Sequence, residues 1–533
     1  MTALIAGRRA GNVVPLTAFD GTMTRKIAPT PTELEIRFHL PPDMEVDLDT
    51  HPALAGGGER QSPAVPQVAT YFDTPDHDFA RHGASLRVRR SAGHEVQTLK
   101  LRRSDIPFGR GEWEWPVADG RPDTRHLAET PLAFLAETGS RLIPLFTAEV
   151  SRTTRIVRLE NTIIELTADL GSIQAGDKVE SVRELELELK QGDIALLYRL
   201  AADVRAQRPL LLNPESKSDR GWRLLTGHPH SVEKQADIDL PAGITTAAAF
   251  REMINATLAT LIASQPAAAA GVMDGVHQMR VAIRRLRAIL TMFRPHLPAE
   301  AETRFTEGLR HIGRVLGEAR DWDVFCNETL LDASDDGMSE DLVASLRVPA
   351  EAQRKAAYAR LTEEFSRPAL TDTILGLATW AEEIQAPTCA PESSALHAPL
   401  VDLAPALEQR LARKVLRRGR HIRRRSEEEL HDLRKALKKL RYAVEFLEPL
   451  HRHKRVKAYL HRCKLLQEHL GGINDAAVAM ALAEQISQGD AELAPAVSAL
   501  KAWADERRAR SFRHIRDAWH EFRDGALPKV HPD

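Results

Sequence analysis

The sequence predicts a two-domain α+β protein, an antiparallel β-rich half followed by an all-α half. Three observations predict it. Up to about residue 225 apolar residues alternate with period two, the spacing of half-buried strands. From about residue 246 the periods are helical almost throughout. Within that second half, a pair of motifs recurs at a fixed offset of 154 residues. A chain of 533 residues is long enough for several cores, and 43% hydrophobic content excludes a disordered or collagen-like polymer. The three cysteines, Cys326, Cys389 and Cys463, are too few and too scattered for a disulfide framework or zinc ribbon. They fit a reducing compartment, and a cytoplasmic location is expected. No apolar run approaches the roughly 18 residues of a membrane span, and Met1–Val14 lacks the pattern of a secretory signal.

Taken in order, residues 1–29 form an N-terminal extension, 30–226 the β-rich domain, 227–245 a linker and 246–530 the helical domain. Alternation predicts strands over Glu33–Phe38, Ser85–Arg89, Gln97–Arg102, Glu112–Trp115, Asn161–Thr167 and Arg183–Lys190. Gly/Pro/Asp-rich stretches at Ala55–Pro66, Asp105–Gly111 and Gly171–Asp177 read as connections. One helix is expected over Asp193–Arg208. In the helical half, His277–Arg287 matches His431–Arg441, and Leu316–Val324 matches Leu470–Val478, with 28 residues between the motifs in each copy. Two tandem bundles, about 246–400 and 401–530, related by a pseudo-two-fold, are predicted.

The whole chain balances 73 Lys+Arg against 75 Asp+Glu, a net charge of −2. That balance hides a gradient: residues 401–533 carry 28 basic and 19 acidic residues, a local +9. Such asymmetry points to an anionic partner.

Residues two apart on a strand share a face. Glu33, Glu35 and Arg37 therefore point one way, as do Arg87 with Arg89, Lys100 with Arg102, Glu112 with Glu114, and Glu184 with Glu186 and Glu188. A half-solvated sheet also places charge on one face, but it usually mixes signs, because like charges on one face repel. Here whole strands are acidic and others basic. Inside a barrel, basic rows would bind a polyanion and acidic rows would hold cations against it. Clustered carboxylates suit Mg2+ or Mn2+, and divalent metals with Arg/Lys clamps are what phosphoryl transfer needs.

Glu33-Leu-Glu-Ile-Arg37 resembles the ExExK signature of the CYTH superfamily, the triphosphate tunnel metalloenzymes. Tyr71–Pro75, Leu86–Arg89, Thr98–Lys100, Glu184–Glu188 and Ser216–Gly221 match its later landmarks in order. The resemblance implies an eight-stranded antiparallel tunnel that hydrolyses a tripolyphosphate by attack of water on the terminal phosphorus. It implies metal on Glu33, Glu35, Glu112, Glu114 and Glu186, with Glu184 and Glu188 sharing that last face and the register open. It implies phosphate clamps at Arg37, Arg87, Arg89, Lys100 and Arg152, with Arg155 as the out-of-phase rival of Arg152. Arg37 and Lys217 are the residues expected at the chemistry, Lys217 closing the tunnel and orienting the water. Arg37 stands where the family prefers Lys; it keeps the charge and can bind phosphate bidentately, but it cannot lose a proton.

In the helical half, His277, Arg280, Arg284 and Arg287 form one stripe beside an apolar stripe of Met279, Ile283, Leu286 and Leu290. The second copy repeats it with His431, Arg434, Lys438 and Arg441. A solvated basic face normally carries acids at i±4. Between His277 and Arg287 there are none, and the second copy has only Asp432, which favours an anionic ligand. One His per repeat without further ligands argues against a metal site. Asp321, Asp323 and Asp475 are expected to cap helices or orient the basic side chains. Arg410–Arg425 adds nine Lys/Arg in sixteen residues. With aromatics at only 5%, base stacking is poorly served and nucleic acid is not the expected partner.

These repeated motifs resemble the CHAD domain, over about residues 246–525. That resemblance implies paired four-helix bundles with a basic groove or pore for inorganic polyphosphate, and association with polyphosphate granules is compatible with it. CYTH followed by CHAD is a known bacterial arrangement. The expectation is therefore a metal-dependent inorganic triphosphatase whose helical domain binds polyphosphate. The rivals are a non-catalytic polyphosphate-binding protein with a degenerate tunnel, and an enzyme acting on thiamine triphosphate or ATP.

Overall fold

The computed structural model describes residues 31–530, apart from 45–46, 50, 55–57, 209, 231–234, 236, 242, 385–393 and 489. The expected N-terminal extension and Cys389 lie outside the described residues. Eight antiparallel strands form the first domain: β1 (Thr32–His39), β2 (Val65–Asp73), β3 (Ala84–Ser91), β4 (His94–Arg102), β5 (Gly109–Pro116), β6 (Ile143–Leu159), β7 (Thr162–Ala175) and β8 (Lys178–Gln191). Their order is β5-β4-β3-β2-β6-β7-β8-β1, and β1 pairs back to β5, closing a barrel without edges. A two-residue strand, β9 (Leu211–Leu212), extends the pairing at the end of β1.

The barrel has its apolar faces outside. Ile36 and Phe38 of β1, Leu166 of β7 and Leu185 and Leu187 of β8 are buried outward in one core with Leu197, Tyr198 and Val204 of helix α1 (Ile194–Gln207). Asp193 caps that helix by accepting from the Ala195 amide. Leu86 and Leu99 are covered by Phe79, Leu127, Leu132 and Leu135. The alternating charged residues are left facing the lumen, as the pleat requires.

One end of the lumen is filled by helix α2 (Lys217–Thr226), whose Leu224 and Leu225 pack on Tyr71, Phe146, Val150, Ile173 and Val182. Ser216 and Asp219 form a reciprocal capping box at its start. Gly221 makes the insertion possible: a Cβ there would lie 2.2 Å from the Phe146 ring. Strand β7 runs through Gly171, where the sequence predicts a connection. Gly171 pairs with Val150, and a Cβ on it would lie 1.9 Å from the Glu149 carbonyl oxygen. That glycine marks close approach of two strands, and the turn comes later, at Gly176 with φ 57°. The predicted linker begins packed rather than free, since His230 stacks on Trp222 with centroids 5.0 Å apart.

The helical domain follows the expected duplication. Helices α3 (Thr246–Ala269), α4 (Met273–Phe293), α5 (Ala299–Val324) and α6 (Glu340–Phe365) correspond to α8 (Leu400–Arg418), α9 (Glu427–Phe446), α10 (His453–Ser487) and α11 (Ala494–Asp524). Helix α7 (Pro368–Glu383) follows α6 in the chain and belongs to the first repeat. It docks on the barrel domain: Arg205 pairs with Asp372 at 3.0 Å, Arg199 with Glu383 at 2.6 Å, and the Leu212 amide donates to Thr371 Oγ1. Helix α5 continues through a π-turn at Phe325–Thr329, whereas α10 is unbroken at the matching positions. Among the described residues, no helix is long and apolar enough to cross a membrane.

Candidate functional site

The open part of the lumen divides into two walls. Adjacent strands β7, β8, β1 and β5 present Glu165, Glu186, Glu188, Glu33, Glu35, Glu112 and Glu114. Strands β4, β3 and β6 present Lys100, Arg87, Arg89 and Arg152, with Tyr71 of β2 between them. Arg37, Arg110 and Lys190 are cationic exceptions on the acidic wall, and Lys217 enters from the start of α2. Segregation of sign along each strand thus becomes segregation across the barrel.

Register explains the pairings. Lys100 lies opposite Glu112, Arg152 opposite Asp169, and Arg37 opposite Glu186. The Lys100 ammonium contacts both Glu33 oxygens at 2.7 Å and Glu112 at 3.2 Å. Arg37 donates to Glu35 at 2.9 Å. Arg152 grips Asp169 through two bonds of 2.7 and 2.6 Å and reaches Glu186 at 2.6 Å. Lys217 is held by Asp169, Glu184 and Glu186 together.

Electrostatics follow from burial and these contacts. Burial pushes the Glu33 carboxyl up, to about 8, against the pull of Lys100. Burial would raise Glu35 too, but Arg37, Lys100 and Arg110 outweigh it and hold that carboxyl well below the usual range. Burial likewise opposes ionisation of Asp169, yet Lys217 and Arg152 bring it to about 2. Lys217 is raised above its ordinary value by Glu184, Glu186 and Asp169 despite its burial, so it stays charged. On the basic wall the buried Arg87 Nε has no hydrogen-bond partner, and Arg89 reaches only Glu114, at 3.4 Å.

Among the described residues, two carboxylate triads have oxygens close enough to share one cation, within 4.8 Å of one another: Glu33, Glu112 and Glu188, and Asp169, Glu184 and Glu186. The first offers only oxygen donors and already holds cations, Glu33 and Glu112 the Lys100 ammonium and Glu188 the Lys190 ammonium, so a hard divalent ion fits there. The second is already neutralised by Lys217 and Arg152.

A second cationic site lies between the two helical repeats. His277, Arg280 and Arg284 of α4 face Arg434 and Lys438 of α9 across a cavity closed by Arg320, Asp321, Asn474 and Asp475. Arg280 donates to the Gly317 carbonyl at 2.8 Å and to Asp321 at 3.0 Å. Arg284 Nε is buried without a partner. Burial depresses the Lys438 ammonium to about 7, helped by Arg434, Arg284 and Arg280. Half-buried cations without carboxylate partners are costly to hold together and favour an anion between them.

Comparison with known proteins matches both halves. The CYTH domain model covers residues 31–222, and the CHAD domain model covers 252–484. The chain carries a CYTH domain followed by a CHAD domain. Over 194 residues the CYTH-CHAD chain is 27% identical to an inorganic triphosphatase of Haemophilus influenzae, covering 36% of this chain and 54% of that one. It is 28% identical over 284 residues to an uncharacterized protein of Mycobacterium tuberculosis, covering 50% of this chain and 53% of the other. The chain spans about half the length of the curated relatives it matches. Among solved structures, the CHAD domain of Ricinus communis aligns at 26% identity and a TM-score of 0.49, over 57% of this chain and 100% of that one. A Hippeastrum protein described as a putative adenylyl cyclase with a dominant triphosphatase activity aligns at 17% identity and a TM-score of 0.25, over 37% of this chain and 99% of its own.

In the CYTH half, all of Glu33, Glu35, Arg37, Arg87, Arg89, Lys100, Glu112, Glu114, Arg152, Glu186 and Lys217 line the one lumen. Arg155 does not: its guanidinium turns outward to the Leu48 and Leu54 carbonyls. Sequence reading missed Asp169 and Arg110. Asp169 lies two residues beyond the predicted end of its strand, and Arg110 falls in a stretch read as a connection. In the CHAD half, His277, Arg280, Arg284, Arg434 and Lys438 converge on the groove, while Arg287, His431 and Arg441 are not among its lining residues. His431 bonds Asn474, and Arg441 lies over the Tyr442 ring and pairs with Glu445 at 3.5 Å. Asp321 and Asp475 orient arginines; neither caps a helix, since both lie inside one. Asp323 is fully buried, accepting from Arg354 and Tyr358 at 2.8 Å each.

Proposed function

We propose that the CYTH lumen hydrolyses inorganic triphosphate with Mg2+ or Mn2+, and that the CHAD groove binds inorganic polyphosphate. The observation that carries the first part is the two-walled lumen. A triphosphate laid between the walls places its oxygens against Arg87, Arg89, Lys100 and Arg152. Its far side meets the carboxylates, where Glu33, Glu112 and Glu188 would hold the divalent ion. That ion would neutralise phosphoryl charge as the terminal P–O bridge breaks. Lys217, fixed as a cation by three carboxylates, orients the water rather than taking its proton. Water oxygen and one of its protons end on the released orthophosphate, and the bridging oxygen stays with diphosphate, which takes up the other proton. Arg37 does not need to lose a proton in this scheme, since it acts as a clamp bonded to Glu35.

The test is orthophosphate release from tripolyphosphate, compared with ATP and thiamine triphosphate, in wild type and Glu33→Ala/Glu35→Ala. Activity that requires Mg2+ or Mn2+ and collapses in the variant supports the reading. Equal rates in both proteins refute the metal assignment. The groove is tested by titrating the full chain with long-chain polyphosphate at several salt concentrations, where salt-sensitive binding is expected.

A further inference from the structure

The barrel and the helical domain enclose a cavity of their own. Its barrel side carries Arg102, Arg103 and Arg110, and its far wall is largely apolar, from Ile262, Ala263 and Pro266 of α3 beside Thr260. Arg37 and Arg110 line both this cavity and the lumen. A small cleft beside the start of α2 links the two, sharing Lys100 with the lumen and His230 with the interdomain cavity.

Charge in this chamber is unbalanced. Arg102 and Arg110 share a single carboxylate, Asp219, at 3.2 Å each, while Arg103 is held by Asp105, just outside the chamber, at 3.0 Å. The other lining acid, Glu215, is taken by Arg223 at 3.0 Å. Arg37, with a side chain only 8% exposed, keeps its Nε without a partner. His230 adds no charge at neutral pH, because burial, against Asp219, depresses its ring to about 4. The α3 wall adds no charge, and its one hydroxyl, Thr260, donates to the Ala256 carbonyl at 3.1 Å. An anion small enough to pass the cleft would therefore meet Arg102 and Arg110, two guanidiniums on one carboxylate, whose planar forks match tetrahedral oxyanions.

We propose that this interdomain cavity is a second anion site, which takes the orthophosphate leaving the lumen. The identity of the phosphate source rests on the triphosphatase reading above; the site itself rests on the shared arginines and the uneven pairing. The helical domain then has a part in the barrel's reaction cycle, because α3 supplies the wall that makes the chamber.

The experiment titrates the full chain with inorganic phosphate by calorimetry, with a methylene-bridged triphosphate analogue saturating the lumen. Wild type is compared with Ala263→Trp, which fills the chamber from an exposed position on α3, and with Arg103→Gln. One phosphate site per chain is expected in wild type. It should be lost in Ala263→Trp and weakened at least tenfold in Arg103→Gln, and orthophosphate should inhibit turnover less in both. Unchanged phosphate titration in both variants, with melting temperatures equal to wild type, overturns the site. If Ala263→Trp does not fold, Arg103→Gln decides alone. Hydrolysis without variant-sensitive phosphate binding removes this site and leaves the triphosphatase reading standing. Variant-sensitive phosphate binding without hydrolysis does the reverse.

Discussion

Arg280 and Asp321 form an ion pair of 3.0 Å between α4 and α5, and their equivalents 154 residues later, Arg434 and Asp475, face each other at 3.6 Å. The pair is the point at which each repeat aims an arginine into the shared groove. Arg280 is held twice, by Asp321 and by the Gly317 carbonyl, so the carboxylate is not its sole support. Asp321→Asn should then remove a repelling charge while leaving Arg280 in place. Polyphosphate binding by the full chain is expected to tighten about threefold, roughly 0.6 kcal/mol. Arg284→Ala should do the opposite, weakening binding about tenfold and flattening its salt dependence. Calorimetric titration at two salt concentrations checks both. Equal affinities across the three proteins would place the polyanion elsewhere.

Lys438 gives the groove a pH dependence. Its ammonium is depressed to about 7 by burial and by Arg434, Arg284 and Arg280, with Asp475 pulling the other way. Below pH 7 the lysine is charged in the folded and unfolded protein alike, and the cost of keeping it charged is borne in full. Between about 7 and its ordinary value near 10.4, the unfolded chain holds more protons, so this group makes stability rise with pH. Lys438→Met should therefore raise the melting temperature at pH 6, with the gain fading toward pH 10. A melting curve series over that range is the measurement. A gain that does not shrink with pH would mean the lysine is not the cause.

Arg87 tests the basic wall of the lumen. It is half-buried, its buried Nε has no partner, and its neighbours include Tyr71, which lines the same space. Removing it should leave the acidic wall and the α2 plug intact. Arg87→Ala is expected to lower turnover of tripolyphosphate by roughly 10²–10³-fold, the usual loss of one preorganised charge-stabilising donor. The metal concentration giving half-maximal rate should stay close to wild type. A large shift in that concentration instead would assign Arg87 to the cation site.

Much of this architecture was legible because period and sign are local properties. The rows Glu33/Glu35, Arg87/Arg89 and Glu112/Glu114 are single faces by spacing alone, and the 154-residue offset pairs Arg280 with Arg434 in the sequence itself. What could not be read depends on contacts between distant segments. Gly171 looks like a turn because glycine's usual reason is conformational, whereas here the reason is the Glu149 carbonyl 1.9 Å from its missing Cβ. That misreading shortened a strand and hid Asp169, the carboxylate that Arg152 and Lys217 share. Nor does spacing reveal that Arg287 and Arg441, in helical phase with Arg284 and Lys438, are not among the groove's lining residues. The gap between Asp321 and Asp323 is similar: two residues apart, one orients a groove arginine and the other is sealed under Arg354 and Tyr358.

Arg152 and Arg155 separate lumen chemistry from scaffold. They sit three apart on β6, and strand alternation sends them to opposite sides. Arg152 enters the lumen and binds Asp169 and Glu186. Arg155, only 7% exposed, donates instead to the Leu48 and Leu54 carbonyls and pins the segment outside the barrel. Arg155→Ala leaves those carbonyls unsatisfied, so it should destabilise the fold by about 1–3 kcal/mol. The Michaelis constant for tripolyphosphate should be unchanged. Arg152→Ala should raise that constant and slow turnover, and it should also loosen Lys217, because Asp169 and Glu186 would lose a cation they share with it. Urea melts and steady-state kinetics on the two variants tell them apart. Kinetic damage in Arg155→Ala without loss of stability would show that the outward arginine has a part in the reaction after all.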